Sequence, residues 1–147
     1  MAEIGFYHLT RTGLAQALPA LLGRTLAAGE KALVACPDET MMAALDDALW
    51  QAQAPDWLPH GTAQSPYPEL QPIFLTTQMQ NPAGARFLFR VGGVEAPVEG
   101  FVRAFDLFDG NDEAQVLAAR ARWKAEKAAG HALAYWKQED SGWVKAG

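Results

Sequence analysis

Apolar positions along the chain follow two rhythms. Ile4-Gly5-Phe6-Tyr7-His8-Leu9 and Lys31-Ala32-Leu33-Val34-Ala35-Cys36 are short apolar runs suited to buried strands. Between them Leu14, Leu18, Leu21, Leu22 and Leu26 recur at helical spacing, and Gly29 follows the last of them as a C-terminal stop. The pattern predicts a helix over most of that interval, with Pro19 either in its first turn or kinking it. Pro37 and Asp38 open a second predicted helix, whose apolar stripe is Met41, Met42, Leu45 and Leu49. Residues 55–72 hold Pro55, Pro59, Gly61, Pro66, Pro68 and Pro72, too many breakers for a regular element. Three more strands are predicted over 73–77, 87–91 and 102–108. Asn111 is then expected to cap a third helix, with Asp112 and Glu113 at its positive end. Gly130 stops that helix, and 131–136 returns as a strand.

The order strand, helix, strand, helix, strands, helix, strand predicts a layered α/β domain with a central, mostly parallel sheet flanked by helices. The length of 147 residues suits one domain, and an apolar content of 50% with 20% charged residues is a globular mixture. The single Cys36 can form no intramolecular disulfide, and the N-terminus has no basic and apolar leader pattern, which leads us to expect a cytoplasmic setting. No window approaches the ~18 uninterrupted apolar residues of a membrane span. A net charge of -5 argues against broad binding to nucleic-acid phosphates. The charge is unevenly spread, however: residues 1–119 carry six Lys/Arg against fourteen Asp/Glu, and residues 120–147 carry six against three.

Motifs for chemistry are sparse. The turn after the first strand, Thr10-Arg11-Thr12-Gly13, has one glycine where a phosphate-cradling loop needs several, so no nucleotide-binding loop is expected. Gly92, Gly93 and Gly100 read as turn residues. Cys36 ends a strand, a common place for a nucleophile, but nothing near it in sequence lowers its pKa; a small buried hydrophobe is the better reading. His8, His60 and His131 are scattered, so neither a metal nor a cofactor is expected. Asp46 and Asp47 look like a solvated helix face, and residues 106–113 only superficially like a calcium loop.

The third helix departs from this plain picture. On a wheel of ~100° per residue, Val116, Arg120, Trp123, Lys124 and Lys127 share one face. Leu117, Ala121, Ala125, Ala128 and Ala114 form a smooth opposite side expected to pack on the sheet, which would leave Trp123 outside the packed face. Arg120 and Lys127 then either cover the indole as a surface cation–aromatic arrangement, or rim a shallow pocket for an acidic peptide or terminal carboxylate. Trp50 raises a similar choice. It lies on the Asp46–Asp47 side of its helix and is followed by Trp57-Leu58-Pro59-His60, either an exposed aromatic patch or a locally buried pair.

Three pieces together resemble the chi subunit of bacterial DNA polymerase III: the Phe6-Tyr7-His8-Leu9 strand; Leu45-Asp46-Asp47-Ala48-Leu49-Trp50 with Trp57-Leu58-Pro59-His60; and Arg120-Ala121-Arg122-Trp123-Lys124 with Ala129-Gly130 and Tyr135-Trp136-Lys137. The likeness spans nearly the whole chain and is weakest over 61–105. It implies a single Rossmann-like domain over 1–137, with 138–147 as a C-terminal extension beyond the usual Trp-Lys ending. It also implies a non-catalytic adaptor of the clamp-loader assembly that grasps the acidic, Phe-ended tail of single-stranded DNA-binding protein, meets the psi subunit where one exists, and contacts DNA only indirectly. Residues matched to the tail-binding positions are Arg120, Trp123 and Lys124, with Trp123 standing where better-known relatives carry Tyr; Val116 and Lys127 join them from the wheel alone. Trp50 and Trp57 would face psi. The rival expectation is a small nucleotide- or cofactor-binding α/β enzyme built around Cys36.

Overall fold

The computed structural model describes residues 2–51, 58–139 and 142–146. The first apolar run forms strand β1 (Glu3–Leu9), followed by helix α1 (Leu14–Ala27), strand β2 (Ala32–Ala35) and helix α2 (Glu39–Gln51). Strands β3 (Ile73–Thr76), β4 (Phe87–Val91) and β5 (Arg103–Asp109) come next, then helix α3 (Glu113–Ala128) and strands β6 (Ala132–Glu139) and β7 (Gly142–Lys145). The sheet runs in the order β3-β2-β4-β5-β1-β6-β7 and is parallel except for the β6–β7 pair.

Connection handedness decides which face each helix covers. The crossovers β1–α1–β2 and β2–α2–β3 move in one direction along the sheet, and β5–α3–β6 moves in the other. Right-handed crossovers therefore place α1 and α2 together on one face and α3 on the opposite one. The first face buries Leu18, Leu21, Leu22, Leu45 and Leu49 over Val34, Leu75, Phe89 and Leu107. The second buries Ala119 over Ile4, Phe6, Leu88, Ala104 and Phe108, and an extended segment carrying Ala96 and Val98 takes the place of a second helix.

Local chemistry explains most boundaries. Asp38 caps α2, its carboxylate accepting from Met41 N at 2.8 Å. Pro19 is the sixth residue of α1, beyond the first turn, and the helix continues through it. Gly92 needs glycine twice over: its φ is +66°, and a Cβ would meet Met41 Sδ at 2.6 Å.

One expected boundary requires correction. The cap of α3 is Asp112, not Asn111; its carboxylate accepts from Ala114 N at 3.0 Å and Gln115 N at 3.3 Å. Asn111 instead spends its backbone N–H on the Asp109 carboxylate in the preceding turn. Strand β7 was not foreseen, and with β6 reaching Glu139 the last residues extend the sheet by an antiparallel hairpin. Residues 55–72 hold a bridge from Gly61 to Phe74 and a single 3-10 turn at Pro68–Leu70, the remainder of the described portion being loop.

Candidate partner-binding site

Helix α3 is rotated relative to the expected wheel. Its inward side is Val116, Ala119, Arg122, Trp123 and Glu126, whereas Ala114, Ala121, Ala125 and Ala128 are exposed and Leu117 is 56% accessible. The cause is a buried ionic cluster. Arg90 on β4 and Asp106 on β5 are register neighbours, 2% and 1% exposed. Arg122 from α3 clasps Asp106 with Nε at 2.6 Å and Nη2 at 2.9 Å. Glu126, one turn on, takes both terminal nitrogens of Arg90 at 2.6 and 2.9 Å. Arg90 also meets Asp106 at 3.0 Å and the Ala96 carbonyl at 3.2 Å. Burial disfavours the charge on Arg90, but Glu126 and Asp106 more than offset that and raise its pKa. Two cations and two anions thus compensate one another, so charged residues face the sheet and alanines face water.

This rotation corrects the expectation for Trp123. The ring is half-buried, meeting Phe6 edge-on at 5.3 Å and Tyr135 at 5.8 Å, so it belongs partly to the core and partly to the surface. Val116 is likewise partly buried against the core. Arg120, Lys124 and Lys127 are exposed, and among the described residues none of the three forms an ion pair. Arg122 is thus neutralised within the fold, whereas three neighbouring cations of the same helix find no carboxylate partner among the described residues.

Trp50 occupies the other face. It ends α2 with 63% of its surface accessible, and its ring lies 4.7 Å from that of His60. Asp46 accepts from or pairs with His60 Nε2 at 2.7 Å while His60 Nδ1 meets the Leu58 carbonyl at 2.8 Å. Asp46 is thus an anchor for the platform under Trp50, not merely a solvated residue as its sequence position implied. Trp57 lies outside the described residues.

The crevice where a nucleotide would bind in a doubly wound domain lies at the C-terminal ends of β1 and β5, where the crossover direction reverses, and has a volume of about 410 Å³. Its would-be phosphate cradle is already occupied. Gln138 Oε1 accepts from the backbone N–H groups of Thr10, Arg11 and Thr12 at 3.1, 2.8 and 3.0 Å, and Gln138 Nε2 donates to Thr12 Oγ1 at 2.7 Å. Cys36 is 1% exposed, and burial, aided by Asp38 and Glu39, pushes its thiol up to about 12, the opposite of an activated nucleophile. Asp106, the first acid of the calcium-like stretch, is the buried partner of two arginines.

The family model for the DNA polymerase III chi subunit, HolC, matches residues 1–134. The chain belongs to the chi-subunit family. The family is that of an accessory subunit of DNA polymerase III. A similar curated protein is the probable DNA polymerase III subunit chi of Rickettsia prowazekii (strain Madrid E), 27% identical over 88 residues that make up 60% of this chain. The match spans about half of that relative, 53% of its length. Among the described residues, no helix is long and apolar enough to cross a membrane.

Sequence reasoning missed Arg90, Asp106, Glu126 and His60. The available signal for the first three was a charged residue inside each of two apolar strands, answered by two charges four residues apart on the helix after the second strand.

Proposed function

We propose that this chi-family chain is a non-catalytic adaptor of the clamp-loader assembly, whose α3 surface receives the acidic C-terminal tail of single-stranded DNA-binding protein. The observation that carries the reading is the contrast within α3: Arg122 is buried and paired, whereas Arg120, Lys124 and Lys127 are exposed and free of ion pairs among the described residues. An Asp-rich tail supplies the missing carboxylates, and its aromatic end packs on Trp123. Because these cations are exposed and form no ion pair among the described residues, removing one is expected to leave no buried charge behind. Arg120→Ala is therefore expected to weaken binding of the tail peptide at least about tenfold, read by calorimetry, with the thermal midpoint unchanged. Unaltered affinity would move the tail elsewhere.

Trp50, raised on the His60–Asp46 pair, is the proposed anchor for a psi subunit where one exists, with Trp57 as its companion. Trp50→Ala is expected to leave peptide affinity intact and to reduce recovery of psi or the clamp loader in a pull-down. Equal recovery would remove that role.

A further inference from the structure

The half-buried aromatics do not stop at Trp123. Its ring meets Tyr135, and the Tyr135 hydroxyl lies 2.5 Å from Nδ1 of His8, whose own ring packs on Phe108 at 5.1 Å. Trp123, Tyr135 and His8 thus form one continuous row leading away from α3 across β6 and β1. The charged groups around His8 come from three elements: Arg120 from α3, Lys137 opposite it on β6, and Asp109 at the end of β5. Gly110 closes the fourth side so tightly that a Cβ there would fall 2.1 Å from His8 Nε2.

Burial is the largest influence on His8 and lowers its pKa; the Gly110 carbonyl opposes this, the charges of Lys137 and Arg120 add to the lowering, and Asp109 opposes. The ring is therefore neutral near pH 7. In the neutral tautomer protonated at Nε2, Nδ1 accepts the Tyr135 O–H. Protonation reverses that hydrogen bond: Nδ1–H donates to the Tyr135 oxygen, and the hydroxyl hydrogen is released to point outward. An anion arriving beside Arg120 favours the same change, because it screens the two cations that hold His8 neutral.

Resting on the tail-docking reading above, we infer that His8 and Tyr135 form a proton-linked carboxylate receptor at the end of the α3 surface. A carboxylate of the acidic peptide lodges beside Arg120 and accepts the Tyr135 hydroxyl, while His8 takes one proton from solvent.

The test is calorimetric titration of the full chain with a short Asp-rich peptide ending in a free Phe carboxylate, in two buffers of different ionisation enthalpy. Wild type is expected to bind about threefold or more tightly at pH 6 than at pH 8, with net proton uptake. His8→Gln should bind with a flatter pH profile and without that uptake, and Tyr135→Phe about threefold more weakly than wild type at pH 6. Nuclear magnetic resonance of the His8 ring in the wild-type chain supplies a readout that needs no variant: its pKa should rise on saturation with peptide. A His8 titration unmoved by peptide, or proton uptake equal in wild type and His8→Gln, would overturn the receptor and leave tail docking standing. A peptide that fails to bind at any pH would overturn both.

Discussion

Trp123 shows how one side chain serves two environments. Its edge contacts with Phe6 and Tyr135 hold the ring in a fixed pose, and its accessible part belongs to the same helix as Arg120, Lys124 and Lys127, which form no ion pair among the described residues. A rigid indole loses little freedom on binding, which makes it a better anchor than an exposed flexible residue. Cys36 makes the opposite case, a reactive atom rendered inert by burial. Its thiol is pushed from 9.0 up to about 12, so in the unfolded chain it ionises first. Between about pH 9 and pH 12 the unfolded state binds fewer protons than the folded one, and stability falls as pH rises through that window. Tyr7 and Tyr135, whose pKa values burial also raises, act in the same direction. Cys36→Ala is therefore expected to lessen, without abolishing, the alkaline loss of stability measured by urea denaturation at pH 7 and pH 10; an identical loss in both proteins would refute the assignment.

At the level of elements, α3 is oriented by charge. A parallel sheet is usually covered on both faces by apolar helix stripes, yet here β4 and β5 each place one charged residue on the α3 face, and α3 answers with Arg122 and Glu126. Because the four groups sum to zero charge, removing a single member leaves the others uncompensated. Asp106→Asn is expected to destabilise the fold by about 3 to 5 kcal/mol in chemical denaturation, since both buried arginines lose their shared carboxylate. A change below about 1 kcal/mol would mean that the cluster does not set the pose of α3.

For the whole molecule, crossover handedness puts Trp50 and the α3 cations on opposite faces of the sheet, the separation an adaptor needs if it is to hold two partners at once. The two proposed contacts also differ in physical character. Tail binding, carried by exposed cations, is expected to weaken about tenfold as salt is raised from low to several hundred millimolar, whereas a Trp50 contact should change far less. Salt titration of peptide affinity beside partner recovery would check this, and equal sensitivity would contradict the division.

Local patterning by itself determined the run of elements from β1 to β6, the parallel sheet and the basic character of α3, because strand and helix periods and capping groups act over a few residues. Arg120, Lys124 and Lys127 could be read as exposed for the same reason: long charged chains without a partner remain in water. The tertiary structure alone decided the pose of α3, the half-burial of Trp123 and the capture of the β1–α1 loop amides by Gln138. Each depends on pairing between residues far apart in the chain: Arg122 with Asp106, Arg90 with Glu126, and Gln138 with Thr10. A helical wheel ranks a residue by its own polarity, so it turns every arginine outward. Only the fold supplies the distant carboxylate that lets one of them turn in.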